Sequence, residues 1–207
     1  MSNITIVNST SNAEVVRVAI YKKPQSQPDL QTIAWKIIAP PPNGGSTVVV
    51  IPNTYEAFAS YSFDPIERNS PYAGSRTQSL EFGENTARFL IDSVGSQDSR
   101  SNAASITQTF TGLVLNEVRM ENNFGVGVWG HITKDGDEIY PPQVIWPSGI
   151  RMEDIRSSYY VAVVAQFVNK GARLVDAEIS VTECEVLEGG TVTVTGSMWT
   201  GYSISVV

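Results

Sequence analysis

The sequence predicts an all-β fold: an antiparallel β-sandwich of two packed sheets, with Greek-key-like connections and little helix. Runs of alternating apolar and polar residues recur along the whole chain. Charged residues make up only 17% of the chain, which is low for a helical protein. The 16 glycines and 11 prolines are spread between these runs and separate them.

In the first half, the stretch VVRVAIY places Val16, Val18 and Ile20 on one face of a strand. STVVVIP is a β-branched strand that Pro52 ends. The stretches KKPQSQPDLQ, APPPNGGS and YPPQVIWPSG predict loops or edge positions, because proline cannot donate to a ladder. At most one helix is expected, near ENTARFLIDS or RMEDIRSS.

In the second half, YYVAVVAQFV predicts a strand, and the NKG turn with ARLVDAEISVT predicts its hairpin partner. Near the end, TVTVTG and GYSISVV alternate, with Tyr202, Ile204 and Val206 on one face and serines on the other. Both are expected to be half-buried strands.

A chain of 207 residues suits one large all-β domain, and neither half has a composition of its own. We therefore predict a single domain over residues 1–207. The stretch SVGSQDSRSNAAS, residues 93–105, has few apolar anchors and predicts a mobile loop.

The net charge of -7 removes any general attraction to phosphate backbones, so no nucleic-acid partner is expected. A membrane is not the expected partner either, although insertion through strands stays open. A group of acids late in the chain predicts a solvated sheet face or edge, with a cation site as the alternative. These acids are Asp176, Glu178, Glu183, Glu185 and Glu188.

The single cysteine, Cys184, cannot form an internal disulfide, and VTECEVL predicts that it is a packed strand residue. The start of the sequence, MSNITIVNST, lacks the basic residues and apolar run of a signal peptide. No stretch approaches the ~20 apolar residues of a membrane helix. We expect synthesis in the cytoplasm, with later release left open.

The segment FGVGVWGHITKDGDEIYPP, residues 124–142, contains a G-x-G-x-x-G match at Gly125, Gly127 and Gly130. A dinucleotide site needs a helix directly after the glycines, whereas strand formers and a proline pair follow them here. The glycines are expected to mark a bulge or a place where a bulky neighbour crosses the strand. No cofactor is predicted.

The same segment predicts a hairpin turn at Lys134-Asp135-Gly136-Asp137, with the glycine at positive φ. The alternative is a cation site at Asp135, Asp137 and Glu138, because hard cations bind carboxylates on loops. The spaced ligands and distal glutamate of a calcium loop are missing. We predict the turn and no metal.

The only histidine, His131, lies near the end of a predicted strand, and a structural or surface role is favoured. With one His and one Cys, a Cys/His zinc site would need ligands from more than one chain. G-x-S-x-G, P-loop and H-E-x-x-H motifs do not occur, and nothing selects one carboxylate pair for glycoside hydrolysis. We expect no enzymatic activity and assign no catalytic residue.

Aromatic residues supply the candidate binding residues. Trp146 lies in the proline-bounded stretch PPQVIWPSG and is the first candidate for recognition or assembly, with loop packing as the alternative. Tyr140 and Tyr159 are the further candidates. Trp35 and Trp129 lie inside apolar strands and are expected in the core.

The stretch VVRVAIYKKPQSQPDLQTIAWKIIAPPPNGGS resembles the N-terminal part of rhizosphere-induced (RhiA-type) bacterial proteins and, more distantly, of the inclusion-body protein family. A strand ends in Tyr and is followed by Pro, a polar loop leads to an Ala-Trp strand, and a Gly/Pro turn opens the next strand. The resemblance implies a small bacterial β-sandwich, made in the cytoplasm, without an established enzymatic activity. The residues that carry it are Tyr21, Pro24, Ala34, Trp35, Pro42 and Gly44.

We therefore expect a non-catalytic protein that acts through its surface or by self-assembly, in the manner of an accessory or inclusion-type protein. The hydroxyl-lined terminal stretch GYSISVV offers an edge for pairing with another copy. A carbohydrate-binding, lectin-like module that uses Trp146 is the alternative. A membrane-engaging, toxin-like β protein with residues 93–105 as a mobile arm is a further one.

Overall fold

The structure, a computed structural model, describes residues 1–10, 15–25, 32–94, 103–175, 179 and 183–207. The described residues form eighteen strands and one turn of 3₁₀ helix, Ile66–Arg68, so the predicted all-β class is confirmed. Residues 95–102 of the predicted mobile loop lie outside these ranges. In chain order the strands are β1 (Ser2–Asn8), β2 (Arg17–Tyr21), β3 (Lys36–Ile38), β4 (Gly45–Ile51), β5 (Thr54–Tyr61), β6 (Ser75–Arg76), β7 (Leu80–Gly83), β8 (Ala87–Ser93), β9 (Ala104–Thr109), β10 (Glu117–Asn122), β11 (Val128–Lys134), β12 (Asp137–Glu138), β13 (Gln143–Ile145), β14 (Ile150–Asp154), β15 (Ser158–Val164), β16 (Cys184–Leu187), β17 (Thr191–Ser197) and β18 (Gly201–Val206).

The described residues divide into two compact units. The first contains those within Met1–Lys23, Pro28–Asn53 and Ser157–Val207, and the second those within Pro24–Gln27 and Thr54–Arg156. Each unit holds two sheets, whereas the sequence predicted two sheets in the whole chain. That the chain folds as a single domain stays a prediction.

In the first unit, sheet A has the strand order β18-β17-β1-β4, and sheet B has the order β16-β15-β2-β3. β1 pairs with β17 in parallel, and the other pairs in both sheets are antiparallel. Alternation in sheet A buries Ile4 and Ile6 of β1 together with Val192 and Val194 of β17. The threonines between these residues lie on the opposite face of the sheet.

The two central strands of sheet B are buried on both faces, which explains their nearly continuous apolar sequences. One face, with Ala19 and Ala162, packs in a cluster with Val168 and Leu174. The ring of Trp35 stacks on Tyr159 at 5.6 Å between ring centroids, and both side chains are fully buried. Trp35 is therefore a core residue, as the sequence predicted.

In the second unit, sheet C has the order β14-β10-β8-β9, in which β8 and β10 run parallel. Sheet D has the order β12-β11-β5-β6, and the short strands β13 and β7 pair with β11 and β5. β5 contributes small residues to the centre of sheet D, where Ala59 pairs with Gly130 and Ala57 with Ile132. In this register each residue of β5 from Glu56 to Tyr61 lies directly opposite one residue of β11.

The predicted helix does not occur at either of its suggested positions. ENTARFLIDS contributes β8, in which Ala87, Phe89 and Ile91 are buried at every second position. RMEDIRSS contributes β14. A period of two therefore describes both stretches better than the helical period does. No helix within the described ranges is long and apolar enough to span a membrane.

Two glycines of the first unit differ in how closely another backbone segment approaches them. Gly196 and Gly189 have nearly equal φ values, 92° and 91°. A Cβ on Gly196 would lie 2.2 Å from the carbonyl oxygen of Gly201, whereas a Cβ on Gly189 would meet nothing within 4 Å. An alanine at either site would therefore have the same unfavourable positive φ, but only an alanine at Gly196 would also clash with the backbone.

We predict that Gly196→Ala lowers the free energy of unfolding by ~1–3 kcal/mol more than Gly189→Ala, because only the first variant forces the hairpin strands apart. Urea unfolding of both variants measures the difference. Equal losses in the two variants would contradict the tight approach of β17 and β18.

Candidate functional site

The segment with the sequence motifs, residues 124–142, forms a hairpin. β11 and β12 pair through Lys134 and Asp137, which leaves a two-residue loop. Asp135 and Gly136 have φ values of 57° and 73°, the conformation of a type I′ turn. The predicted turn is confirmed.

Two of the three glycines of the G-x-G-x-x-G match, Gly127 and Gly130, make room for large neighbours, whereas Gly125 has nothing within 4 Å of a Cβ position. A Cβ on Gly127 would lie 2.6 Å from Ile66 Cδ1 and 3.1 Å from the ring of Trp146. A Cβ on Gly130 would lie 2.8 Å from Ile145 Cδ1. A strand follows these glycines instead of a helix, so they do not form a phosphate-binding turn.

The alternative cation site gains no support from the structure. Glu138 directs its carboxylate at His131, and Asp135 is exposed at the turn. Among the residues that the structure describes, no group of three or more His, Cys, Asp or Glu side chains could hold a metal ion.

His131 lies in a row of contacting side chains on one face of sheet D. The imidazole is fully buried, with Nε2 2.9 Å from Ser60 Oγ and Nδ1 2.6 Å from Glu138 Oε1. Phe58 stacks on the ring at 4.3 Å between centroids. The register explains this meeting, because Phe58 lies opposite His131, and Ser60 is two residues further along β5.

The order Ser60, His131, Glu138 is that of a serine hydrolase triad. Ser60 Oγ donates to the carbonyl oxygen of Pro71 at 2.5 Å, and the ring of His131 connects Ser60 Oγ to Glu138 Oε1. Ser60 is only 4% exposed, so its hydroxyl is enclosed by the protein. The row connects β5, β11, β12 and the segment at Pro71.

A second buried network lies around Arg151 in the same unit. Its guanidinium donates to the carbonyl oxygens of Gly130 and Pro141 and to Glu153 Oε1. Burial lowers the pKa of the Arg151 guanidinium, and the charge of Glu153 opposes that change. Glu153 also accepts from Gln143 Nε2 at 2.8 Å. These charged groups bond to each other, to Gln143 and to main-chain carbonyl groups within the unit, and in this way they hold its strands in place.

The structure buries two of the three predicted aromatic binding residues. Tyr140 is buried in the second unit, and its hydroxyl donates to the carbonyl oxygen of Asp154. Tyr159 is buried in the first unit beneath Trp35. Neither ring can stack on a ligand. Trp146 is 58% exposed, so the carbohydrate hypothesis rests on this one ring and stays a prediction.

Sheet A differs from the other sheets because none of its four strands contains a charged residue. Its outer face carries threonine, serine and valine side chains, and Val48 and Val50 of β4 are exposed. A large uncharged sheet face on a protein of net charge -7 is the principal surface feature of the first unit.

The two edge strands of sheet A are β18 and β4, and the sequence predicted β18 as a strand for pairing. Val207 and Thr191 exchange both backbone hydrogen bonds, so odd-numbered residues of β18 face β17. The N–H and C=O groups of Ile204 and Val206 consequently point away from the sheet. The strand β18 contains neither charged residues nor proline, two of the features that usually prevent pairing at an edge.

Cys184 lies in β16, as predicted, and is half-buried. Burial raises the pKa of its thiol to about 11, and the negative charge of Glu183 contributes to the rise. The thiolate is therefore scarce at neutral pH, and the residue is a poor nucleophile.

Comparison with protein-family models, with curated proteins and with solved structures finds no significant match to this chain. The resemblance to RhiA-type and inclusion-body proteins stays a prediction. Ser60, Arg151 and Glu153 were not identified from the sequence, because no local motif marks them.

We predict that Ser60→Ala and Glu138→Gln are coupled by ~0.5 kcal/mol or more in the free energy of unfolding, because both act on one imidazole. A double-mutant cycle followed by urea unfolding measures this coupling. The control cycle replaces Glu138→Gln by Glu67→Gln, an exposed carboxylate in the same unit, and is expected to be additive within ~0.5 kcal/mol. Additivity in the first cycle would contradict the hydrogen-bonded row.

We predict that iodoacetamide alkylates Cys184 at a rate that rises about tenfold per pH unit up to about pH 10, because the thiolate fraction rises in this way below the raised pKa. Glu183→Gln is expected to increase the rate at pH ~8, and Glu185→Gln serves as the neighbouring control. A plateau near the ordinary thiol pKa of ~8.5 would contradict the raised value.

Proposed function

We propose that the protein acts without catalysis, by associating with further copies of itself through the β18 edge of sheet A. The observation that carries the proposal is an accessible edge strand in a sheet without any charged residue. Outward backbone groups of such a strand bind another extended segment through main-chain hydrogen bonds.

The distribution of charge favours a second copy as the partner. Two copies of net charge -7 repel each other over most of their surface. Contact at sheet A avoids this repulsion at close range and requires no ionised group to lose its hydration. The association is therefore most favourable at this sheet.

The geometry of β18 also suits self-pairing. Two antiparallel β18 strands related by a two-fold axis present the same groups to each other, so one surface serves both copies. Two other edge strands, β4 and β9, also lack charged residues. β4 belongs to the same sheet A and is bounded by Pro42 and Pro52, whereas β9 differs because Arg88 and Asp92 of β8 lie directly beside it. Charges next to an edge discourage pairing, which supports β18 over β9.

We predict that Val206→Pro weakens association by about tenfold or more, since two outward hydrogen bonds of ~0.5–1.5 kcal/mol each are lost in a two-fold pair. The N–H of Val206 points away from β17, so proline spares the internal ladder. Light scattering across a concentration series measures the assembly.

Val206→Ala is the matched control, because it shortens the same side chain and keeps the N–H. It is expected to associate like the unaltered protein. A strict monomer of the unaltered protein at all concentrations would overturn the proposal, and so would unchanged association of Val206→Pro with unchanged circular dichroism.

A further inference from the structure

The connection between β9 and β10, residues 110–116, presents apolar side chains to solvent, and we call it the apolar loop. Phe110 is 77% exposed and Leu115 is 73% exposed. Leu113 and Val114, between them, are 38% and 50% exposed. Single exposed apolar residues are common on protein surfaces, whereas a contiguous group of them marks a contact site.

Hydrogen bonds hold both ends of the apolar loop against the start of β8. Arg88 Nη1 donates to the carbonyl oxygen of Thr111 at 2.9 Å, and the N–H of Asn116 donates to the carbonyl oxygen of Asn85 at 2.6 Å. Gly112 has a φ of 63°, and a Cβ there would lie 2.7 Å from Arg88 Nη1. The loop therefore displays its apolar side chains from a fixed position at one end of sheet C.

Polar groups of the loop are bonded within the protein. The carbonyl oxygen of Val114 accepts from Thr86 Oγ1 at 2.8 Å and from the N–H of Glu117 at 3.2 Å. The hydroxyl groups of Thr109 and Thr111 bond to each other at 3.2 Å. Polar groups that enter hydrocarbon need partners inside the protein, because no water is present there to bind them. This pattern suits a loop that leaves water for the interface of a lipid bilayer.

The charges around the loop favour a neutral surface. Residues 103–116 contain no charged residue. Arg88 binds both carboxylate oxygens of Glu121, at 2.8 and 2.9 Å, and Arg156, at the same end of sheet C, pairs with Asp154. A chain of net charge -7 is also repelled by an anionic leaflet. A zwitterionic bilayer avoids that repulsion.

We propose that the apolar loop docks on the neutral surface of a zwitterionic phospholipid bilayer, with Phe110 and Leu115 entering the boundary between headgroups and acyl chains. Phe and Leu are typical of segments that lie in this boundary. A protein partner is less favoured, because interface hot spots are enriched in Trp, Tyr and Arg, and Leu and Val are under-represented there. The loop belongs to the second unit and shares no residue with β18, so the proposal is independent of self-association.

Co-sedimentation with phosphatidylcholine vesicles over a range of lipid concentrations tests the proposal. Phe110→Ser and Leu115→Ser are each expected to weaken binding about tenfold, because the burial of one apolar side chain is lost. Ile150→Ser is the matched control, since Ile150 is 46% exposed and lies opposite Glu121 at the other end of sheet C. It is expected to bind like the unaltered protein. Circular dichroism checks that each variant is folded.

A polarity-sensitive dye locates the contact. Leu115→Cys in a Cys184→Ser background carries the dye on the loop, and its emission is expected to shift to the blue when phosphatidylcholine vesicles are added. The same dye on Ile150→Cys is expected to keep its emission. Vesicles that also contain phosphatidylglycerol are expected to bind more weakly at low salt, because their charge repels the chain.

Four results would overturn the proposal. The unaltered protein could fail to sediment with phosphatidylcholine vesicles at millimolar lipid, or Leu115→Ser and Ile150→Ser could weaken binding equally. Stronger binding to the vesicles with phosphatidylglycerol would exclude a preference for a neutral surface. A blue shift of the dye on Leu115→Cys that follows protein concentration and not lipid would assign the loop to a second copy of the chain.

Discussion

Each of the four sheets is open among the described residues, so each ends in strands that have one side without a partner in that sheet. Most of these edges are short or charged. β6 and β12 have two residues each, and β16 and β14 carry Glu185 and Arg151. β18, β4 and β9 have neither protection, but β9 lies beside Arg88 and Asp92 of β8. The edge strands without charged residues in or next to them therefore belong to sheet A, and the proposed association rests on this distribution.

Polar and charged groups in the second unit serve the fold. His131 lies between Ser60 and Glu138, and the guanidinium of Arg151 binds two carbonyl oxygens and Glu153. Buried groups of this kind stabilise a fold only when their partners are complete. The unit thus uses these buried polar side chains to fix the positions of its strands.

Local patterns in the sequence predicted much of the fold. Alternation was sufficient for β2, β17 and β18, and the Asp135-Gly136 pair was sufficient for the turn, because both signals depend on neighbouring residues. The helix proposed near β8 was wrong because a short run such as ARFLI fits either period. Ser60 and His131 are 71 residues apart in sequence, and only the register of β5 with β11 brings them together. Burial of Tyr140 and Tyr159 likewise depends on packing that alternation does not reveal.

The alternation of β18 determines both what the strand buries and what it offers at the edge. Ile204 and Val206 lie opposite Val194 and Val192, two buried residues of β17, so their side chains are on the inner face of sheet A. The same pleat directs the N–H and C=O groups of Ile204 and Val206 away from β17. The pattern that predicted the strand therefore also determines which backbone groups a second copy would meet.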